Sequence, residues 1–385
     1  MKADASSEGV MSRYESSLIA ALSGERDIHK HWMLRLKHAV YKARLGHLDD
    51  AREIIRSARS VLSQMNTAQI VAYINFAEGV CEYFENGAAK AIDKLNRSRA
   101  LAAGCPPNDD LPLLVAAWLA AVHRILGQWD NLSRDLADIF VSGRVVSDEV
   151  AARACLVVAD TCEDVGAIKK ADNWYKSARE SALRLGDDSS LGAILYNRAA
   201  IKVFNVRIQE VKGLDLDIEE CHLIVQAASA ENYAQYIKDT SLGWAFDLLF
   251  GQLAIVQGQY AEAIRRFTSS KVPADLAAIW PAAELMRSAD ILRSRAILSE
   301  IDQSQVIQGA SALMERFFGG VSASGMAIAA YSIQLALKQF DGLDERFTKM
   351  WQDAIARFDL NCQRESDVLK VLGERAPKDF AFPAL

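Results

Sequence analysis

Residues 166–178 read GAIKKADNWYKSA, and this short segment predicts the architecture of the chain. It has a glycine, an apolar residue two positions later, an alanine five positions later, and then Tyr175 and Ala178 nine and twelve positions later. A glycine tolerates the positive φ angle of a tight turn, and small or apolar residues at these spacings share one face of the helix that follows. The segment therefore predicts a turn and a helix that packs closely against the helix before it.

The same pattern recurs along the chain. It starts again at Gly46, Gly127 and Gly258, and a degenerate copy starts at Asn86. The first four starting positions, 46, 86, 127 and 166, lie about 40 residues apart. A segment with apolar residues at three- and four-residue intervals precedes each of them, so each unit is a pair of helices joined by a turn. Repetition at this interval is typical of stacked helical hairpins.

The fifth unit departs from the pattern. Its turn falls at Arg207, and the next helix begins only near Asp217, so we expect a loop insertion near 208–217. Further helices are predicted near 281–298, 303–317, 325–339, 344–358 and 365–372. The predicted organisation is a flexible N-terminal segment over 1–24, a helical repeat domain of about eight helix pairs over 25–375, and a C-terminal tail over 376–385.

The composition fits a large folded protein. Of the 385 residues, 51% are hydrophobic, which excludes disorder for most of the chain. Lys and Arg number 44 against 50 Asp and Glu, so the net charge of −6 gives no general attraction to nucleic acid. We therefore expect no direct nucleic-acid partner.

No segment indicates a membrane or an export signal. The longest apolar run, over 111–122, is shorter than the roughly 20 residues that cross a bilayer. The stretch over 1–24 has Asp4 and Glu8 where a secretory signal has basic residues, and its apolar part is brief. We expect a cytoplasmic protein without a membrane partner.

Cysteine and histidine spacings provide no framework for a disulfide or a metal site. Cys155 and Cys162 lie seven residues apart on one helix face, where a redox or metal pair is the alternative to two small buried side chains in a reducing compartment. His31 and His38 also share a helix face, in a basic first helix, and no HExxH motif is present. We expect no metal and no cofactor.

Asp160, Glu163 and Asp164 form an acidic cluster at helical spacing. Paired carboxylates act as general acid and base in some sites or hold a divalent cation, whereas most such clusters are solvated helix faces. No GxxxxGK[ST], GxGxxG or GxSxG motif supplies the rest of a catalytic site. We expect the chain not to be an enzyme.

Over roughly residues 28–270, the pattern Gly-x-apolar-x-x-Ala-x-x-x-aromatic-x-x-Ala resembles the tetratricopeptide repeat. In that family a small residue seven positions before the turn glycine lies where the paired helices cross, and here this position holds Ala39, Gly79, Ala120, Ala159 and Gly251. The resemblance implies an all-α fold, a right-handed superhelix of antiparallel helix pairs. The unit is longer than the usual length of about 34 residues, and its length is similar to that in MalT-type activators and Rap-type peptide sensors.

The resemblance also implies that the first helix of each pair lines a concave groove. The implied partner-binding residues are Tyr73, Phe76, Tyr83, Phe84, Arg124, Arg153, Asp160, Glu163, Asn197 and Asn205. Aromatic and Arg side chains are common anchors of peptide recognition, and Asn amides hydrogen-bond an extended backbone. Alternatively, Phe76 and Tyr83 pack between neighbouring helices, and Asn205 has a capping role.

The acids of the fourth unit bear on the kind of peptide. Chaperone-tail binders of the family grip a terminal carboxylate with a Lys/Asn/Arg clamp, and this sequence has Asp160 and Glu163 in the fourth unit instead. The sequence therefore disfavours a peptide that ends in acidic residues.

Two functions follow from the implied groove. The first is a non-enzymatic scaffold or regulator that binds a protein or peptide. The second is a ligand- or peptide-sensing regulator whose superhelix closes on a small signal and changes its affinity for a partner. A sensor changes its compactness when ligand binds, whereas a scaffold stays rigid. The sequence leaves both open, together with the oligomeric state.

Overall fold

The fold is seen in a computed structural model, which describes residues 11–62, 67–106, 108–141, 145–214, 220–241, 243–317, 321–340, 345–373 and 377. Across these ranges the chain is all-helical and contains no strand. The helices are α1 Arg13–Gly24, α2 Ile28–Arg44, α3 Leu48–Ser60, α4 Ala68–Asn86, α5 Ala88–Ala102, α6 Leu111–Ile125, α7 Trp129–Phe140, α8 Asp148–Asp164, α9 Ile168–Leu185, α10 Asp188–Lys212, α11 Glu220–Tyr236, α12 Gly243–Val256, α13 Tyr260–Phe267, α14 Leu276–Ile279, α15 Pro281–Ile297, α16 Gln303–Phe317, α17 Ala323–Lys338 and α18 Glu345–Leu369, followed by a 3₁₀ turn, Lys370–Leu372.

Successive helices pack as hairpins joined by turns of one or three residues. The pairs with such turns include α2 with α3, α4 with α5, α6 with α7, α8 with α9, and α12 with α13. The predicted turn glycines Gly127 and Gly166 have φ angles of +65° and +76°, which side chains with a Cβ rarely adopt. The degenerate copy is shifted by one residue: Asn86 ends α4, and Gly87, with a φ of +85°, forms the turn.

Small residues allow the two helices of a hairpin to approach closely. A Cβ on Gly79 would lie 2.8 Å from the Leu95 side chain of the partner helix, and one on Gly251 would overlap the Phe267 ring. The alanines at the corresponding crossing positions are fully buried: Ala39, Ala120 and Ala159. The packing reason for the repeat pattern is therefore present in each hairpin where the pattern occurs.

The expected loop near 208–217 is wrong over 208–212. Helix α10 continues through Arg207 to Lys212, and its turn is formed by Gly213 with a φ of +65°. The reason lies in Arg207, whose fully buried guanidinium binds Asp290 at 2.9 Å and so holds this position inside the helical core. Residues 215–217 of the expected loop lie outside the described residues.

Both ends of the chain also differ from expectation. Residues 13–24, expected to be flexible, form α1, which Ser12 caps and in which Tyr14 and Leu18 are buried. The two helices predicted near 344–358 and 365–372 are mainly one long helix, α18, that continues into the 3₁₀ turn. The predicted tail over 376–385 lies outside the described residues except for Pro377.

Contacts between distant parts of the sequence join the first hairpins to later helices. Arg44 at the end of α2 binds Asp187, the N-cap of α10, at 2.8 Å. The backbone N–H of Thr240, before α12, donates to the carbonyl of Leu45 at 3.1 Å. At the other end, α18 packs against α7 and α8. The described helices therefore contact one another well beyond nearest neighbours along the chain.

Candidate functional site

Six of the predicted partner-binding residues, on α4, α6, α8 and α10, have partly exposed side chains. We call these six the inner surface, and they are Tyr83, Phe84, Arg124, Arg153, Asn197 and Asn205. Most other positions on α6 and α8 are buried. The surface has an aromatic part and a polar part.

The aromatic part is built around Trp118 of α6, which is 2% exposed. The ring of Tyr83 meets the Trp118 ring edge to face, with centroids 5.6 Å apart, and Phe84 does so at 6.1 Å. Phe76, seven residues before Tyr83 and so on the same face of α4, lies beneath them at 6.4 Å from Trp118. These four residues, Phe76, Tyr83, Phe84 and Trp118, are the aromatic cluster. Their edge-to-face geometry fixes the plane of the Trp118 ring.

Arg153 lies above this cluster. Its guanidinium carbon is 4.0 Å from the centre of the Trp118 ring, a cation–π contact. The side chain comes from the second turn of α8, which Ser147 caps by accepting a hydrogen bond from the Val150 N–H. Among the described residues, the Arg153 guanidinium has no hydrogen bond and no carboxylate within ion-pair distance.

The electrostatics of Arg153 differ from those of the buried Arg44. Burial, together with the nearby Arg44 guanidinium, lowers the pKa of Arg153 to about 10. Burial also acts against the charged form of Arg44, but the paired Asp187 carboxylate raises the pKa of Arg44 above its usual value. Arg153 is therefore a partly exposed cation without a paired carboxylate among the described residues, whereas Arg44 is buried and paired.

The polar part is centred on Asp160. This buried carboxylate accepts a hydrogen bond from the Tyr175 hydroxyl at 2.8 Å and from the Asn197 amide at 2.9 Å. The Arg124 guanidinium lies 3.6 Å from Asp160 and binds Asp164 directly. Burial raises the pKa of Asp160 to about 6 in spite of these partners. Asp160 and Asp164 are thus occupied by internal partners.

A further carboxylate reaches this region from the far end of the chain. Glu365 on α18 is buried, and its burial and the neighbouring Asp164 raise its pKa to about 8, while Arg124 acts in the opposite direction. We call Asp160, Asp164 and Glu365 the carboxylate cluster. No signal in the sequence connects Glu365 with α8, because the two lie about 200 residues apart.

The structure separates the ten predicted partner-binding residues into two groups. Tyr73 is buried, and its hydroxyl donates to Asp109 at 3.0 Å; Phe76 is fully buried. Asp160 and Glu163 are also buried; the Asp160 carboxylate accepts a hydrogen bond from Asn197, and the Glu163 carbonyl accepts one from Asn205 at 3.4 Å. The six members of the inner surface keep partial exposure.

Trp118 is a member of the site that the sequence analysis missed. It lies in the apolar run over 111–122, where a tryptophan is indistinguishable from a core residue by periodicity. Its closeness to Arg153, 35 residues later, follows from the packing of α6 against α8.

Comparison of the chain with models of known protein families finds no match, and comparison with curated proteins finds none either. No described helix has both the length and the apolar content needed to cross a bilayer. The inner surface is therefore the basis for a functional proposal.

Proposed function

We propose that the chain is a non-enzymatic binding protein that recognises a peptide segment of a partner protein on its inner surface, as a scaffold or regulator. The observation that carries this proposal is the partial exposure of Tyr83 and Phe84 at the rim of the aromatic cluster. Aromatic side chains that are held rigidly and remain partly exposed are efficient anchors, because little side-chain entropy is lost when a partner covers them.

The two asparagines suit the backbone of an extended peptide. The side-chain N–H groups of Asn197 and Asn205 donate to internal acceptors, and their amide oxygens accept no hydrogen bond within the described chain. The two residues are eight positions apart on α10, a rise of about 12 Å. In an extended peptide, N–H groups four residues apart face the same side and lie about 13 Å from each other. The spacing therefore matches two N–H donors of one peptide.

The architecture and the location of this binding protein are part of the same proposal. We infer that the hairpins form a right-handed superhelix similar to that of tetratricopeptide repeats, which the turn glycines and the small crossing residues support. A cytoplasmic location is supported by the free thiols of the described cysteines, Cys81, Cys105, Cys155, Cys162 and Cys362, since disulfides are rare in reducing compartments.

The test is a selection of binders from a random peptide library with the purified protein. We expect peptides to be enriched, and we expect the double variant Tyr83→Ala/Phe84→Ala to bind the selected peptides at least tenfold more weakly, since two anchor rings are lost. Tyr236→Ala, which removes an exposed aromatic ring on α11, is the matched control and should not change the affinity. Failure to enrich any peptide would contradict the proposal, and circular dichroism shows whether each variant is folded.

A sensing regulator is the second candidate, because the hydrogen-bonded contacts of Arg44 with Asp187 and of Leu45 with Thr240 hold the first hairpin against later helices. Such contacts form a two-state element if a ligand separates them or draws them together. Small-angle X-ray scattering with and without a selected peptide distinguishes the candidates. A change in the radius of gyration supports a sensor, and an unchanged radius supports a scaffold.

A further inference from the structure

We propose that Arg153, stacked on Trp118, is a subsite for an oxyanion of the bound peptide, either a carboxylate or a phosphate. This inference rests on the proposed function and adds the chemical class of the group that the inner surface takes. Three observations support it: the unpaired charge of Arg153, the position of its guanidinium over Trp118, and the internal partners of the neighbouring acids.

Arg153 is a partly exposed cation without a paired carboxylate among the described residues. A guanidinium that is partly removed from water is less favourable without an anion beside it, and folded proteins normally pair such a group with a carboxylate. Arg207 follows this rule with Asp290 at 2.9 Å, and Arg44 follows it with Asp187 at 2.8 Å. Arg153 departs from it, since no described carboxylate lies within ion-pair distance. An external oxyanion would supply the missing charge.

The second observation is the position of the Arg153 guanidinium over the Trp118 ring. One face of its guanidinium lies on the Trp118 ring, 4.0 Å away, and the aromatic cluster fixes that ring. A stacked guanidinium keeps its N–H edge available, and this planar fork matches the two oxygens of a carboxylate or phosphate. The contact therefore holds the cation in an orientation suited to bidentate recognition before any ligand is present.

The neighbouring acids do not compete for Arg153. Asp160 is engaged by Tyr175, Asn197 and Arg124, and Asp187 is engaged by Arg44 and by the Ser190 hydroxyl at 2.8 Å. Asp160 and Glu163, the acids that disfavoured an acidic peptide, are both buried, and Asp160 also has internal partners. Arg153 has no paired carboxylate among the described residues.

The first experiment uses simple anions as probes. Intrinsic tryptophan fluorescence is followed while inorganic phosphate or acetate is added, with chloride at equal ionic strength as the reference. We expect a saturable change with at least one of the two anions, and we expect Arg153→Met to abolish it. Arg35→Met is the matched control, because Arg35 lies 5.0 Å over the ring of Trp32 on α2, outside the inner surface, and should leave the response intact.

The anion titration also distinguishes the two sources of an oxyanion. Saturation with phosphate but not acetate indicates a phosphorylated residue, and the reverse indicates an acidic side chain or a chain end. Arg153→Lys keeps the charge but removes the planar fork, so its response should be weaker than that of the wild type. If neither anion produces a saturable change in the folded wild-type protein, the subsite is absent.

The second experiment uses the peptides selected above and separates this inference from the proposed function. We expect the selected sequences to share an acidic or phosphorylated position. Replacing that position by Gln, or by the unphosphorylated residue, should weaken binding to the wild type by about tenfold and should not weaken binding to Arg153→Met. Peptides that bind without such a preference would overturn the subsite and leave the proposed function in place. Selection of no peptide overturns the proposed function, and the anion titration then decides the subsite alone.

Discussion

At the scale of the residue, two interior arginines have opposite environments. Arg207 is fully buried and is held by Asp290 at 2.9 Å and by Ser332 at 3.1 Å. Arg153 is half-buried, stacks on an aromatic ring and has no internal anion. The first arrangement contributes to the integrity of the fold, whereas the second leaves a charge uncompensated. Uncompensated charges of this kind are typical of binding sites, where stability is traded for recognition.

Denaturation of two variants tests this contrast. Arg207→Met leaves the Asp290 carboxylate buried without its cation, so we expect the free energy of unfolding to fall by about 3–5 kcal/mol. Arg153→Met removes an uncompensated cation and keeps an apolar side chain over Trp118, so the free energy of unfolding should be unchanged or higher. Urea denaturation measures both. Equal losses for the two variants would show that Arg153 is a structural residue.

The sequence predicts those residues whose role is local. The turn glycines and the small crossing residues follow from the geometry of one hairpin, and they were placed correctly except for the shift from Asn86 to Gly87. The repeat pattern wrongly predicts a turn at Arg207, because no local pattern indicates its partners, Asp290 and Ser332, which lie 83 and 125 residues further along the chain. Likewise, no local pattern separates a buried aromatic such as Phe76 from a half-buried one such as Tyr83.

Among the secondary-structure elements, the packing of paired helices is tested most directly at Ala171. This residue is fully buried on α9, where the helix packs against α8. Ala171→Leu adds volume that the close approach cannot accept, so we expect a loss of about 1–3 kcal/mol in the free energy of unfolding. Ala89→Leu, at an exposed site on α5, is the control and should change it by no more than about 0.5 kcal/mol. Unchanged stability for Ala171→Leu would show that the helices of this hairpin do not pack as described.

The docking of α18 gives a pH dependence. The pKa of Glu365 is about 8 in the folded protein because of burial and Asp164, against about 4.3 for a free side chain, and Arg124 opposes the shift. The folded state therefore binds an extra proton between these values, and its stability falls as pH rises from about 4 to about 8. Glu365→Gln removes this loss, so its denaturation midpoint should exceed that of the wild type at pH 8 and match it near pH 4.

A control on the same helix isolates the buried carboxyl. Asp353→Asn changes an exposed acid of α18 and should leave the pH dependence of the midpoint as it is in the wild type. If Glu365→Gln has no larger effect at pH 8 than at pH 4, the carboxylate cluster does not hold the proton that its burial implies.

At the scale of the whole molecule, the described helices are tied together by contacts that a simple array of repeats lacks. The Tyr14 backbone N–H donates to the carbonyl of Gly186 at 3.2 Å, and the N–H of Thr240 donates to the carbonyl of Leu45 at 3.1 Å. The all-helical class and most hairpins were predictable because their patterns are local. These long-range hydrogen bonds were not predictable from the sequence. They depend on how far each hairpin is rotated relative to the next, and small rotations accumulate along the chain.

The hydrogen bond between Thr240 and Leu45 limits how the number of hairpins in this chain can change. An open array of hairpins can gain or lose one unit and keep its neighbours intact, since each unit touches only the adjacent ones. Here the partners are 195 residues apart, and they meet only if the number and pitch of the intervening hairpins are retained. Duplication or deletion of a hairpin between α3 and α11 would separate them. This hydrogen bond therefore constrains the number of hairpins between α3 and α11.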